Sequence, residues 1–104
     1  KGRIWIYGTG EGGQRVAAEL ERRSQVKAAG FIDDFRCGHL GGIPISSRDA
    51  AGAQMTPEDK VILATQHWAQ IWPRLASLPA QRLYTAHPHY GAEMVALPQW
   101  ERQG

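Results

Sequence analysis

Gly8, Gly10 and Gly13 are spaced G-x-G-x-x-G, and Asp33 lies twenty residues beyond the last of them, followed by Asp34. Glycines at this spacing suit a strand–turn–helix that grips an anion. The first permits a tight turn, the second lets backbone approach a phosphate with no Cβ in the way, and the third lets the helix pack closely on the strand. The candidate phosphate loop is therefore Gly8, Thr9, Gly10, Glu11, Gly12 and Gly13. Its amides and the positive end of the helix dipole would face the bound anion. Asp33, with Asp34 beside it, stands where a carboxylate would hold a ribose hydroxyl. Thr65 and His67 follow a later apolar run, and His67 there would contact a phosphate or act as a base. Glu11 inside the loop would repel phosphate, or it caps the helix start, where negative charge is favourable. The competing reading is a glycine-rich turn in an ordinary α/β protein that binds nothing.

The elements that must position these residues can be read from periodicity. Residues 3–7 (RIWIY) form an apolar, β-branched and aromatic run, the pattern of a strand buried on both faces. Residues 11–23 follow as a helix with Gly13, Val16, Ala17 and Leu20 on one face. A second strand is expected over 26–32, where Gly30 marks close packing or a bulge, and a polar loop over 33–42. Ile43-Pro44-Ile45 reads as a short segment that its proline confines to a sheet edge. Ser46 or Ser47 caps a short helix over 48–53, Thr56–Asp59 is a turn, and 60–65 is another buried strand. A helix over 67–78, kinked or delayed by Pro73 and stopped by Pro79, precedes a last short strand at 82–85. Residues 86–90 are its exit loop, and 91–104 contain a weak helical turn and then a polar end.

Strands alternating with helices imply a mostly parallel sheet of about five strands, with right-handed crossovers and helices on both faces. The expected fold class is thus a three-layer αβα, Rossmann-like domain with strand order 3-2-1-4-5. Its crevice opens beyond the carboxyl ends of the first and fourth strands, over 8–13, 33–36, 65–68 and 86–89.

With 104 residues, 42% hydrophobic and 21% charged, the chain makes one small domain with a single core. Net charge is +2 and no basic run exceeds Arg22–Arg23, which argues against nucleic acid as a partner. One cysteine, Cys37, excludes an internal disulfide framework and fits a reducing cytoplasm. In its polar loop it reads as a passive side chain, with only Arg36 nearby to lower its pKa. There is no signal peptide or membrane-length apolar segment, so direct membrane insertion is not expected. The first residue is Lys1 and not methionine, which points to a domain cut from a longer protein. Residues 1–90 would be the nucleotide-binding domain and 91–104 a tail or linker toward a missing segment. Of the four tryptophans, Trp5 is expected in the core and Trp68 and Trp72 between helix and sheet. Trp100 is expected to meet a missing domain of the parent chain or another copy in a homo-oligomer. The histidines His39, His67, His87 and His89 carry no recognised metal-ligand spacing, and no metal is expected.

The segments IWIYGTGEGG, AGFIDD, GGIPI and VILAT together resemble a group of small Rossmann-like domains. They are similar to the N-terminal domain of bacterial sugar O-acyltransferases that modify UDP-amino sugars. They are equally similar to that of the large membrane-linked nucleotide-sugar epimerase/dehydratases of polysaccharide biosynthesis. CoA-binding and NADH-sensing domains share the landmarks, including the G-x-P-V-like strand at Gly42–Ile45. The resemblance covers about residues 1–90. It implies that Gly8, Gly10 and Gly13 line the phosphates of NAD(P), a UDP-sugar or CoA, and that Asp33 meets the ribose or sugar. Two features of the family are missing. No hexapeptide repeat follows, so the acyltransferase catalytic half is absent from this chain. No Tyr-x-x-x-Lys occurs, since the lysines are Lys1, Lys27 and Lys60. No catalytic residue is therefore assigned. The reading is a nucleotide-binding domain of a larger sugar-modifying protein, or else a sensing or structural assembly module with a degenerate site.

Overall fold

A computed structural model describes residues 2–65, 67–80 and 82–86, and the backbone of 94–96. Strand β1 (Ile4–Tyr7) leads through the glycine turn into helix α1 (Glu11–Ser24). Then come β2 (Gly30–Ile32), β3 (Gly38–Leu40), β4 (Ile43–Ser46), α2 (Arg48–Gln54) and β5 (Lys60–Leu63). A four-residue helix α3 (Trp68–Ile71) continues as a 3-10 turn over Trp72–Leu75 and is followed by β6 (Arg82–Ala86) and β7 (Met94–Ala96). The sheet order is β3-β4-β2-β1-β5-β6-β7.

The central five strands are parallel and lie in the order expected from the sequence. One antiparallel strand is added at each edge. The added β3 comes from the stretch expected to be loop. Gly41 and Gly42 both have positive φ, at 57° and 79°, and join Leu40 to Ile43 as a two-residue hairpin turn. Pro44 consequently sits one strand in from the edge, opposite His39, and not on the edge itself. At the other side β7 pairs with β6, so residues 94–96 are strand where the sequence reading had a helical turn.

Two apolar layers sandwich the sheet. Val16 and Ala17 of α1 pack on Ile6, Phe31, Ile43 and Ile62. On the opposite face Ala51 of α2, with Leu75 and Leu78, packs on Trp5, Ile32, Val61, Leu63 and Leu83. Trp68 and Trp72 are half-buried against this second layer, as expected. Gly30 lies opposite Trp5 in the ladder, and a Cβ there would come within 2.8 Å of the indole ring. It is a close-packing glycine, not a bulge.

Two elements are shorter than the sequence pattern predicts. Strand β2 is three residues long, and Val26, expected inside it, lies before it and is 39% exposed. The helix expected over 67–78 stops after one turn, because Pro73 has no N–H for the next α-helical bond. The chain keeps Leu75 and Leu78 buried by tightening into the 3-10 turn.

Candidate functional site

The parallel strands all end at one edge, and β1 ends there in the glycine turn. Gly8 has φ +116°, a region that side chains rarely adopt, and its N–H donates to the Ile32 carbonyl across 3.2 Å. A Cβ on Gly13 would stand 1.9 Å from the Gly8 carbonyl oxygen, so that residue is glycine to let α1 close onto the strand. Gly10 is different. It is the N-cap of α1 with φ −75° and ψ −167°, open to any residue, and a Cβ there would meet nothing within 4 Å. No side chain caps the helix start, whose first amides have no partner within the helix. Glu11 does not cap it; its carboxylate is 90% exposed and pairs with Arg15 at 3.6 Å along the helix.

Thr9 is buried and ties this turn to the exit of β2. Its hydroxyl donates to Asp33 Oδ2 at 2.5 Å. Asp33 Oδ1 accepts the backbone N–H groups of Phe35 (2.7 Å) and Arg36 (3.1 Å). The Arg36 guanidinium returns to the Thr9 carbonyl at 3.3 Å, and Gln14 Nε2 donates to the same oxygen at 3.1 Å. Partial burial by itself would raise the Asp33 pKa. The bonds from Thr9, Phe35 and Arg36, with the Arg36 charge, outweigh it and hold the carboxyl below its usual range. A carboxylate offers about four acceptor positions. Among the described residues both on Oδ1 are taken and one on Oδ2 remains, enough for a ligand hydroxyl.

Asp34 serves a neighbouring turn, accepting the backbone N–H of Arg48 at 2.9 Å at the start of α2, where Ser47 is the cap. Thr65 and His67 lie just past β5, next to β1, and Gly8 abuts the Ala64 carbonyl there. The Thr65 hydroxyl accepts the His67 N–H at 3.2 Å and shapes the entry to α3; the His67 side chain is exposed. His87 and His89 lie outside the described residues, as does Trp100. Among the described residues no group of three His, Cys, Asp or Glu is placed to hold a metal, and no helix is long and apolar enough to cross a membrane.

Sequence reasoning passed over Tyr7, Arg48 and Arg74. Tyr7 closes β1 half-buried, and burial raises its hydroxyl pKa, as do Asp34 and Asp33, against Arg48 and Arg74. Arg48 Nη1 donates to the Arg74 carbonyl at 3.0 Å. The available signal was position: Tyr7 is the last strand residue before the glycines, and Arg48 the first of a capped helix. This edge thus combines open backbone amides, a carboxylate with one free lone pair and several arginines.

No family model and no curated protein matches the chain. Among solved structures it is similar to UDP-D-quinovosamine 4-dehydrogenase from Vibrio fischeri. The TM-score is 0.67 with 20% identity, covering 93% of this chain and 93% of that one. The fold is Rossmann-like. In a Rossmann-like sheet the edge described above, where strand order reverses beside β1, is the place at which ligands bind.

Proposed function

We propose that this chain is a nucleotide-binding domain that holds the diphosphate of a UDP-sugar or of NAD(P) on the α1 amino terminus. It would serve within a larger bacterial protein of sugar modification or polysaccharide biosynthesis. The observation that carries the reading is Gly10. Gly8 and Gly13 are required by the fold, whereas among the described residues nothing lies within 4 Å of a Cβ placed on Gly10, and its backbone angles suit any residue. A bare backbone facing open space at a helix start is what an approaching phosphate needs. Asp33 then offers its free lone pair to a ribose or sugar hydroxyl, and Arg36 supplies positive charge beside the loop. Thr65 and His67 border the other side of the crevice, and His67 would reach a phosphate. A UDP-sugar is favoured, because the solved structure of the same fold is named for a UDP-sugar dehydrogenase. The cytoplasm is the proposed compartment. With no catalytic set assigned, chemistry would belong to another part of the parent protein.

The second reading is a CoA-binding, NADH-sensing or structural module. It is favoured by the self-bonding of Thr9, Asp33 and Arg36, which ties the loop down without any ligand. Thermal unfolding with a UDP-sugar, NAD(H), NADP(H) and CoA separates the two. A ligand at a hundred times its Kd adds about 2.7 kcal/mol of apparent stability. The first reading predicts such a shift for the UDP-sugar or NAD(P), and its loss in Gly10→Val. A shift with CoA alone, with NADH but not NAD, NADP(H) or the UDP-sugar, or with none of them at millimolar concentration, supports the second.

A further inference from the structure

Phe35 is 97% exposed, and the other large apolar side chain exposed among the described residues is Val26 at 39%. A phenyl ring left in water forgoes the roughly 1.5–3 kcal/mol that burial would provide. The backbone that carries it is well held. Its own N–H and that of Arg36 both bond to Asp33 Oδ1, at 2.7 and 3.1 Å. Asp33, two residues before it, and Arg36, next to it, each bond to Thr9 in the glycine turn. The ring therefore rises from a fixed base beside the loop, with no packing to hold its own rotamer.

We propose that Phe35 is the platform on which the base of a bound nucleoside diphosphate stacks. The inference rests on the nucleotide reading above and adds to it the part of the ligand that Gly8–Gly13 and Asp33 do not contact. A ribose hydroxyl on the remaining lone pair of Asp33 Oδ2 places the attached base within the reach of a side chain two residues further on. Turning χ1 brings the ring onto it without moving the pinned backbone. Every base has a π-face, so the platform is permissive: it gains affinity for a nucleotide over a bare diphosphate and discriminates little between uracil and adenine. Arg36, next in sequence, adds a cation beside the same anionic ligand.

Isothermal titration of the wild type, Phe35→Ala and Phe35→Trp with UDP, ADP and inorganic pyrophosphate tests this. Stacking predicts that Phe35→Ala weakens UDP and ADP about 5- to 150-fold, leaves pyrophosphate unchanged, and that Phe35→Trp retains nucleotide affinity. The melting temperature without ligand should not move, since a ring so exposed contributes no packing. An equal loss for pyrophosphate, unchanged nucleotide affinity or a lowered melting temperature would each overturn the platform. Dissociation of a self-associated form in Phe35→Ala would also overturn it, by making the ring a protein contact. Wild-type protein that binds pyrophosphate as well as UDP refutes the platform and leaves the phosphate site standing. If neither binds, both readings fall.

Discussion

Asp59 and Asp33 stand at opposite ends of the same sheet, and both carboxyls are held below the usual range. Asp59 is 1% exposed at the amino edge. It accepts the Arg3 N–H (2.9 Å), the Trp5 indole Nε1 (2.9 Å), and the backbone (3.3 Å) and hydroxyl (3.0 Å) of Thr56. The Arg3 guanidinium also pairs with it at 3.5 Å, while lying 5.3 Å from the centre of the Trp5 ring. Burial would raise its pKa, and these donors outweigh burial. Nothing is left over for a ligand. Asp33, by contrast, is only partly buried, keeps one lone pair and lies beside the open face of Gly10. The same chemical group is saturated by the protein at one edge and keeps a free acceptor position among the described residues at the other. Satisfaction of the carboxylate, not the presence of the residue, separates a staple from a candidate site.

The largest effect that could break this comparison is on stability. Asp59→Ala strands several buried donors, each costing about 1–3 kcal/mol unpaired, and should remove about 4 kcal/mol. Asp33→Ala leaves the Phe35 and Arg36 amides to water and strands only the buried Thr9 hydroxyl, and should remove about 1–2 kcal/mol. Urea denaturation measures both, and equal losses would erase the distinction.

Acid sharpens it. A carboxyl whose folded pKa lies below its ordinary value of about 3.8 binds its proton first in the unfolded chain. Its stabilisation is therefore complete above that pH and is lost as pH falls through the lower, folded value. Asp59→Asn should flatten the fall in unfolding free energy below about pH 4. A variant that kept the wild-type slope would show that Asp59 is not the group responsible.

A smaller contrast lies within the glycine turn. Gly13→Ala must displace the Gly8 carbonyl and should cost about 1–3 kcal/mol. Gly10→Ala should change stability by less than about 0.5 kcal/mol. A large loss in Gly10→Ala would make that glycine structural after all.

What could be read in the sequence followed its periodicities. The apolar runs of β1 and β5, the 13-16-17-20 face of α1 and the glycine spacing place the central strands and the turn correctly. The hairpin at Gly41-Gly42 was legible as a turn signal between apolar residues but was hidden by the polar loop around it. The role of Asp59 was not legible. Thr56-Pro57-Glu58-Asp59 has the composition of a surface turn, and only the fold brings Arg3 and Trp5 against its last residue. Asp33 lies at the spacing the glycine fingerprint expects, yet sequence does not reveal that Thr9 already takes part of its capacity.

The most direct test follows backbone amide resonances through a titration with UDP. The account predicts shifts concentrated at Gly8–Gly13, Asp33–Arg36 and Thr65–His67, with the Asp59 end of the sheet unmoved. Shifts that spare Gly10, Glu11 and Gly12 while appearing elsewhere would contradict it.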